Sequence, residues 1–165
     1  MLTLNIDGLL FHFPAGWLAS KYDEWTFYRK HFSRQRGGIK AVDVLALSAE
    51  NVAYLIEVKD YRHPDTERPS ALPTAIADKV LHTLAALLPA RLNANEPAEQ
   101  ALCKAVLGCL KLRVVVHIEQ PARHSPIVDP ADIQQQLKRM LRGIDEHPKV
   151  VCTAKPGKVG WSVAC

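Results

Sequence analysis

Lys40-Ala41-Val42-Asp43-Val44-Leu45-Ala46-Leu47-Ser48-Ala49-Glu50-Asn51-Val52-Ala53-Tyr54-Leu55-Ile56-Glu57-Val58-Lys59 is the stretch around which the chain is organised. Two apolar, β-branched runs flank a short polar turn at Ser48, Glu50 and Asn51, which predicts a β-hairpin. Both runs carry charge where a buried strand should carry none: Asp43 in the first, Glu57 and Lys59 in the second. Alternation of faces puts Glu57 and Lys59 on one side, about 7 Å apart. With the turn centred on Glu50, the register sets Asp43 opposite Glu57, Cβ atoms roughly 5 Å apart. A slip of one residue would send Asp43 to the other face. Carboxylates that close repel unless one keeps its proton or a cation lies between them. A hard divalent ion with oxygen ligands, Mg²⁺ above all, suits such a pair.

An acidic residue on one strand followed by Glu-x-Lys on the next resembles the signature of the PD-(D/E)XK nuclease superfamily. Here the matching residues are Asp43 and the triplet Glu57-Val58-Lys59, with Val42 where the pattern carries Pro. Glu-x-Lys alone is common by chance; its place at the end of an apolar strand facing Asp43 makes it informative. The bland alternative is an ordinary Glu/Lys pair on a solvent-facing hairpin edge. The resemblance implies metal-dependent phosphodiester hydrolysis. Asp43, Glu57 and the Val58 backbone carbonyl would hold Mg²⁺, with Mn²⁺ as a substitute. The ion would acidify a bound water, and Lys59 would orient that water and offset developing charge.

Outside this stretch, 165 residues at 48% apolar composition fit one domain with a sizeable core. A net charge of +4 and a pI near 8.9 are compatible with a nucleic-acid partner without requiring one. No apolar run approaches the roughly 20 residues of a membrane helix. The N-terminus has no signal-peptide pattern, so a cytoplasmic chain is expected. Cys103, Cys109, Cys152 and Cys165 form no C-x-x-C pair and are expected as free thiols, three of them buried.

Leu2–Ile6 and Leu9–Phe13 read as a hairpin turned at Asp7-Gly8. From Trp17 to Phe32, apolar residues at three- and four-residue steps predict a helix. Glu24, on its flank, is either a solvated side chain or, as the resemblance suggests, a third carboxylate. Arg34, Arg36 and Lys40 lie in a Gly-containing approach to Asp43 and are candidate phosphate contacts. Arg62 and Arg68, in the loop from Asp60 to Pro69 after Lys59, are further ones. A helix starts near Pro73, its stripe of Ile76, Val80, Leu84 and Leu87 running up to Pro89. Lys79 on it is either solvent-facing or, by the resemblance, within reach of the site. A polar linker over Leu92–Glu99 precedes a helix over about Ala98–Cys109 and a strand at Leu112–Ile118. Asp129-Pro130 opens a last helix with core face Ile133, Leu137, Met140, Leu141 and Ile144. Val150–Thr153 and Val159–Val163 are expected to close the chain as a hairpin.

The expected architecture is α/β: a restriction-endonuclease-like core over about residues 17–120, a mixed central sheet flanked by helices, with one N-terminal strand serving as its first strand. Residues 121–165 would elaborate it. The expected activity is a Mg²⁺-dependent endonuclease acting on DNA ahead of RNA, as a homodimer or with a partner protein. The alternative is a non-cleaving nucleic-acid-binding or assembly subunit on the same scaffold.

Overall fold

The computed structural model describes residues 1–68, 70–122 and 125–165; Pro69, the end of the expected loop, lies outside them. Alternating apolar residues build a central five-stranded sheet: β3 (Leu18–Lys21), β4 (Val44–Leu47), β5 (Val52–Asp60), β6 (Lys111–Glu119) and β7 (Lys149–Val151), side by side in that order. β3–β4–β5 are antiparallel, whereas β5–β6 and β6–β7 are parallel, so the sheet is mixed. Parallel neighbours need long crossovers. α1 (Leu72–Asn93) and α2 (Pro97–Leu107) supply the first, and α3 (Pro130–Met140) the second.

The two faces of the sheet are buried differently. Leu45, Leu47, Ala53 and Leu55 face α1 in a core with Ile76, Val80 and Leu87. Val44, Ala46, Ile56, Val58 and Val115 face a second, smaller sheet. That sheet contains β1 (Leu2–Ile6), β2 (Leu9–Phe13) and β8 (Ser162–Ala164), in the order β1-β2-β8. Asp7, at φ 50°, and Gly8, at φ 90°, make the tight turn between β1 and β2.

Several expectations are corrected. The Trp17–Phe32 helix does not form. Leu18–Lys21 instead pairs with β4 as the edge strand, Tyr22–Glu24 is a 3₁₀ turn, and Tyr28–Phe32 is a π-helical turn. Leu18, Tyr22, Trp25, Tyr28 and Phe32 give a helical period by coincidence, because backbone pairing to β4 wins over side-chain spacing. The N-terminal hairpin therefore supplies no strand to the central sheet. The C-terminal hairpin is also absent: β7 joins β6, and β8 joins β2 in the other sheet. α1 runs four residues past Pro89, and Met140 is exposed. Only Cys103 of the four free thiols is fully buried. Among the described residues no helix is long and apolar enough to cross a membrane.

Candidate functional site

The hairpin register is the one the turn requires: Val44 pairs with Ile56 and Leu45 with Leu55, which puts Asp43 across from Glu57. Asp43 sits one residue before β4. Its Oδ2 accepts the Val58 amide at 2.6 Å, so Val58, whose carbonyl the resemblance assigns to an ion, holds Asp43 through its N–H. The Asp43 carbonyl accepts the Tyr22 amide at 2.9 Å, continuing the β3–β4 ladder past its last pair.

The segment leading into Asp43 is fastened to α1. His82 Nδ1 accepts the Lys40 amide at 2.9 Å, and Thr83 Oγ1 accepts the Val42 amide at 3.1 Å. These bonds set the distance between the hairpin and the helix. Lys79, one turn before Thr83, thereby reaches the site: its Nζ donates to Glu57 Oε1 at 2.6 Å. Lys59 Nζ approaches the same oxygen at 3.3 Å. Glu57 is 1% exposed, while both lysines keep about a fifth of their surface in solvent. A buried carboxylate is thus held by two ammonium groups that are themselves reachable from outside.

The charges are unevenly satisfied. Burial, then the Glu57 charge, pushes the Asp43 carboxyl up to about 7, against the pull of Lys79. Burial opposes charge on Lys79, yet Glu57 and Asp43 together raise its pKa. Among the described residues, Glu57 Oε2 and Asp23 Oδ1 are buried without a hydrogen-bond partner.

Asp23 is the side chain that sequence reasoning missed. Burial and the neighbouring Asp43 raise its carboxyl. Glu24, the candidate from helical periodicity, is exposed and paired with Lys21 instead. Reading Leu18–Lys21 as a strand paired with β4 would have found Asp23, since that ladder leads from Tyr22 opposite Asp43 directly to it.

The expected phosphate contacts divide. Arg34 and Arg36 are exposed in the loop before Asp43, with Arg36 in a left-handed conformation at φ 49°. Lys40 lies 3.8 Å from Asp78. Arg62 is committed elsewhere: its Nη2 and Nε donate to Asp60 at 2.7 and 2.9 Å. Asp60 points to the small-sheet side, away from Glu57. Arg68 is exposed.

For a divalent ion the donor set is hard and oxygen-rich, and two unpartnered buried carboxylate oxygens suit a cation. Among the described residues, however, no group of three or more His, Cys, Asp or Glu side chains is arranged to hold a metal. Mg²⁺ usually takes only one or two carboxylates and keeps several waters, and Asp43 and Glu57 are the residues that would hold it.

The chain is 30% identical to a cysteine–tRNA ligase of Neisseria meningitidis serogroup A / serotype 4A (strain DSM 15465 / Z2491), over an alignment of 189 positions. The alignment takes in 94% of this chain and 27% of the ligase, so the chain spans about a quarter of that relative. No family model and no solved structure matches the chain. The similarity runs to a tRNA ligase and not to a nuclease. It overturns the expected Mg²⁺-dependent phosphodiester hydrolysis, the endonuclease reading and the preference for DNA over RNA.

Proposed function

We propose that this chain is an RNA-engaging module, working with or within a protein of the cysteine–tRNA ligase kind, that holds tRNA by its phosphate backbone without cutting it. The observation that carries the reading is the similarity, along nearly the whole chain, to a ligase named for tRNA. An enzyme of this kind needs surfaces that position the nucleic acid, and phosphate contacts do that without reading sequence. A cytoplasmic setting accords with this role.

The geometry supports the reading through its cations. Lys59 and Lys79 converge on one carboxylate and remain accessible, so a phosphate oxygen at the rim can share their protons. Exposed Arg34 and Arg36 extend that rim along the loop entering Asp43. The mixed sheet flanked by helices serves as the platform for binding. Asp43 and Glu57 would hold Mg²⁺, which would supply positive charge for a phosphate. Asp23, Lys59 and Lys79 would balance charge around it.

Filter binding across a salt series, comparing tRNA with duplex DNA of matched charge, tests the proposal. We expect tighter binding to tRNA and intact tRNA recovered after incubation with Mg²⁺. Each phosphate contact lowers log K by about 0.7 to 0.9 per decade of salt. Replacing Arg34 and Arg36 together with Gln should therefore reduce the slope by about 1.5. Equal affinity for DNA and tRNA, or none for either, would remove the reading.

A further inference from the structure

A second cationic surface lies at the other end of the helical face. The last turn of α3 and the loop after it enclose a groove of about 520 Å³ lined by Gln135, Lys138, Arg139, Arg142, Glu146 and His147. Lys138, Arg139, Arg142 and His147 are all exposed. Among the described residues none of the four forms an ion pair, Glu146 notwithstanding. Three fixed positive charges and an imidazole thus share one concavity with a single carboxylate.

The groove is held in shape from beneath. Asp145, whose side chain is fully buried, accepts Arg113 Nη1, the Val114 amide and the His147 amide, at 2.8, 2.8 and 2.9 Å. This clamp pins the loop to β6, so His147 faces the helix end from a fixed position. Ile133, Leu137 and Leu141 anchor the opposite wall by packing into the core. A groove whose backbone is already held leaves only its side chains to be ordered when a polyanion binds.

Its place in the sheet separates it from the carboxylate site. Asp145 bonds to Val114 of β6, whereas Glu57 pairs with Val116 and Lys59 with Ile118, two and four residues further along. Four residues of strand amount to about 13 Å.

We infer that this groove is a second phosphate-binding surface for the same RNA, an inference that rests on the RNA-engaging reading above. The cations could instead serve only the dipole of α3, whose C-terminal end favours positive charge. That role would show in stability and leave the salt dependence of binding untouched.

The experiment is tRNA binding by filter retention across a salt series, with thermal melts alongside. Its variants are Lys138→Gln/Arg139→Gln/Arg142→Gln, Glu146→Gln and Arg34→Gln/Arg36→Gln. Three lost contacts should lower the slope by about 2. Glu146→Gln should tighten binding severalfold at low salt. Losses at the two surfaces should add, because the sites share no partner. A triple variant that melts lower but keeps the wild-type slope overturns the inference and leaves the carboxylate-site reading standing. Wild-type protein that binds no tRNA overturns both.

Discussion

Glu57 Oε1 has two ammonium neighbours, Lys79 at 2.6 Å and Lys59 at 3.3 Å, and Oε2 has no partner among the described residues. Removing Lys79 leaves a buried carboxylate with only the longer contact. Breaking a fully buried pair costs about 3–5 kcal/mol. Lys79 is partly exposed, so Lys79→Met should lower the unfolding free energy by about 2 kcal/mol in urea titrations. A variant as stable as wild type would mean that the Lys79–Glu57 contact contributes little to the fold. Asp43 carries the opposite strain, since its carboxyl at about 7 binds a proton more tightly folded than unfolded. The stability linked to that proton is fully present below pH 4 and is lost as pH rises through 7. Moving a carboxyl from 3.8 to about 7 corresponds to on the order of 4 kcal/mol. His117, held low mainly by burial, works the other way across part of this window. The readout is therefore the difference between wild type and Asp43→Asn in EDTA. Asn removes the charge and keeps an acceptor for the Val58 amide. The wild type should weaken relative to the variant between pH 5 and pH 8, and parallel curves would refute the assignment.

At the scale of elements, the short helical turn that follows Asp23 is held in place by another helix. Glu99 on α2 accepts the Thr26 amide at 2.7 Å and the Phe27 amide at 3.1 Å, so one carboxylate covers two free donors at the start of that turn. Glu99→Ala strips both partners from partly and fully buried amides. It should cost about 2 kcal/mol and speed hydrogen exchange at Thr26 and Phe27 ahead of the sheet. Uniform exchange across the chain would show that Glu99 stabilises the whole fold instead of this turn. The same segment marks where the sequence stopped being legible. The β4–β5 register could be read because a polar turn of fixed length and two apolar runs leave one solution, and Asp43 follows from it. The helices α2 and α3 could be read from Gly108 near the end of one and the Asp129-Pro130 cap of the other, whereas Pro97, read as linker, is the first residue of α2. Leu18–Lys21 carries no such marker. Its strand character comes from pairing with β4, and its aromatic neighbours imitate helical spacing, so attention went to Glu24 instead of Asp23.

For the whole molecule, the sheet is a partition. Its helical face carries Asp43, Glu57 and Lys59, met by Lys79 from α1, and its other face packs on the small sheet, which the C-terminal β8 completes. The parallel strand β7 and the crossover through α3 could not be read from the final apolar runs, because Val150 and Val163 have equally suitable partners in either sheet. The chemical task was less legible than the site. Opposed carboxylates with lysines describe a place where charge is concentrated, and the same set can hold a phosphate or hydrolyse one. Similarity to a tRNA ligase decides against hydrolysis, and no spacing in the chain encodes that choice. If Asp43 and Glu57 hold a divalent ion as proposed, they would couple two properties of the whole protein, its response to pH and its response to metal. At pH 5 the Asp43 proton competes with a divalent ion, and at pH 8 that competition is gone. Binding to the folded state alone stabilises by about 2.7 kcal/mol at a hundredfold excess over Kd. For a chain of this size that raises Tm by roughly 5–10 °C. Thermal melts with and without Mn²⁺ should therefore show a shift at pH 8 that shrinks at pH 5, and Asp43→Asn should abolish it at both. A shift equal at the two pH values, or one that survives in Asp43→Asn, would place the ion away from Asp43 and leave the site to its lysines alone.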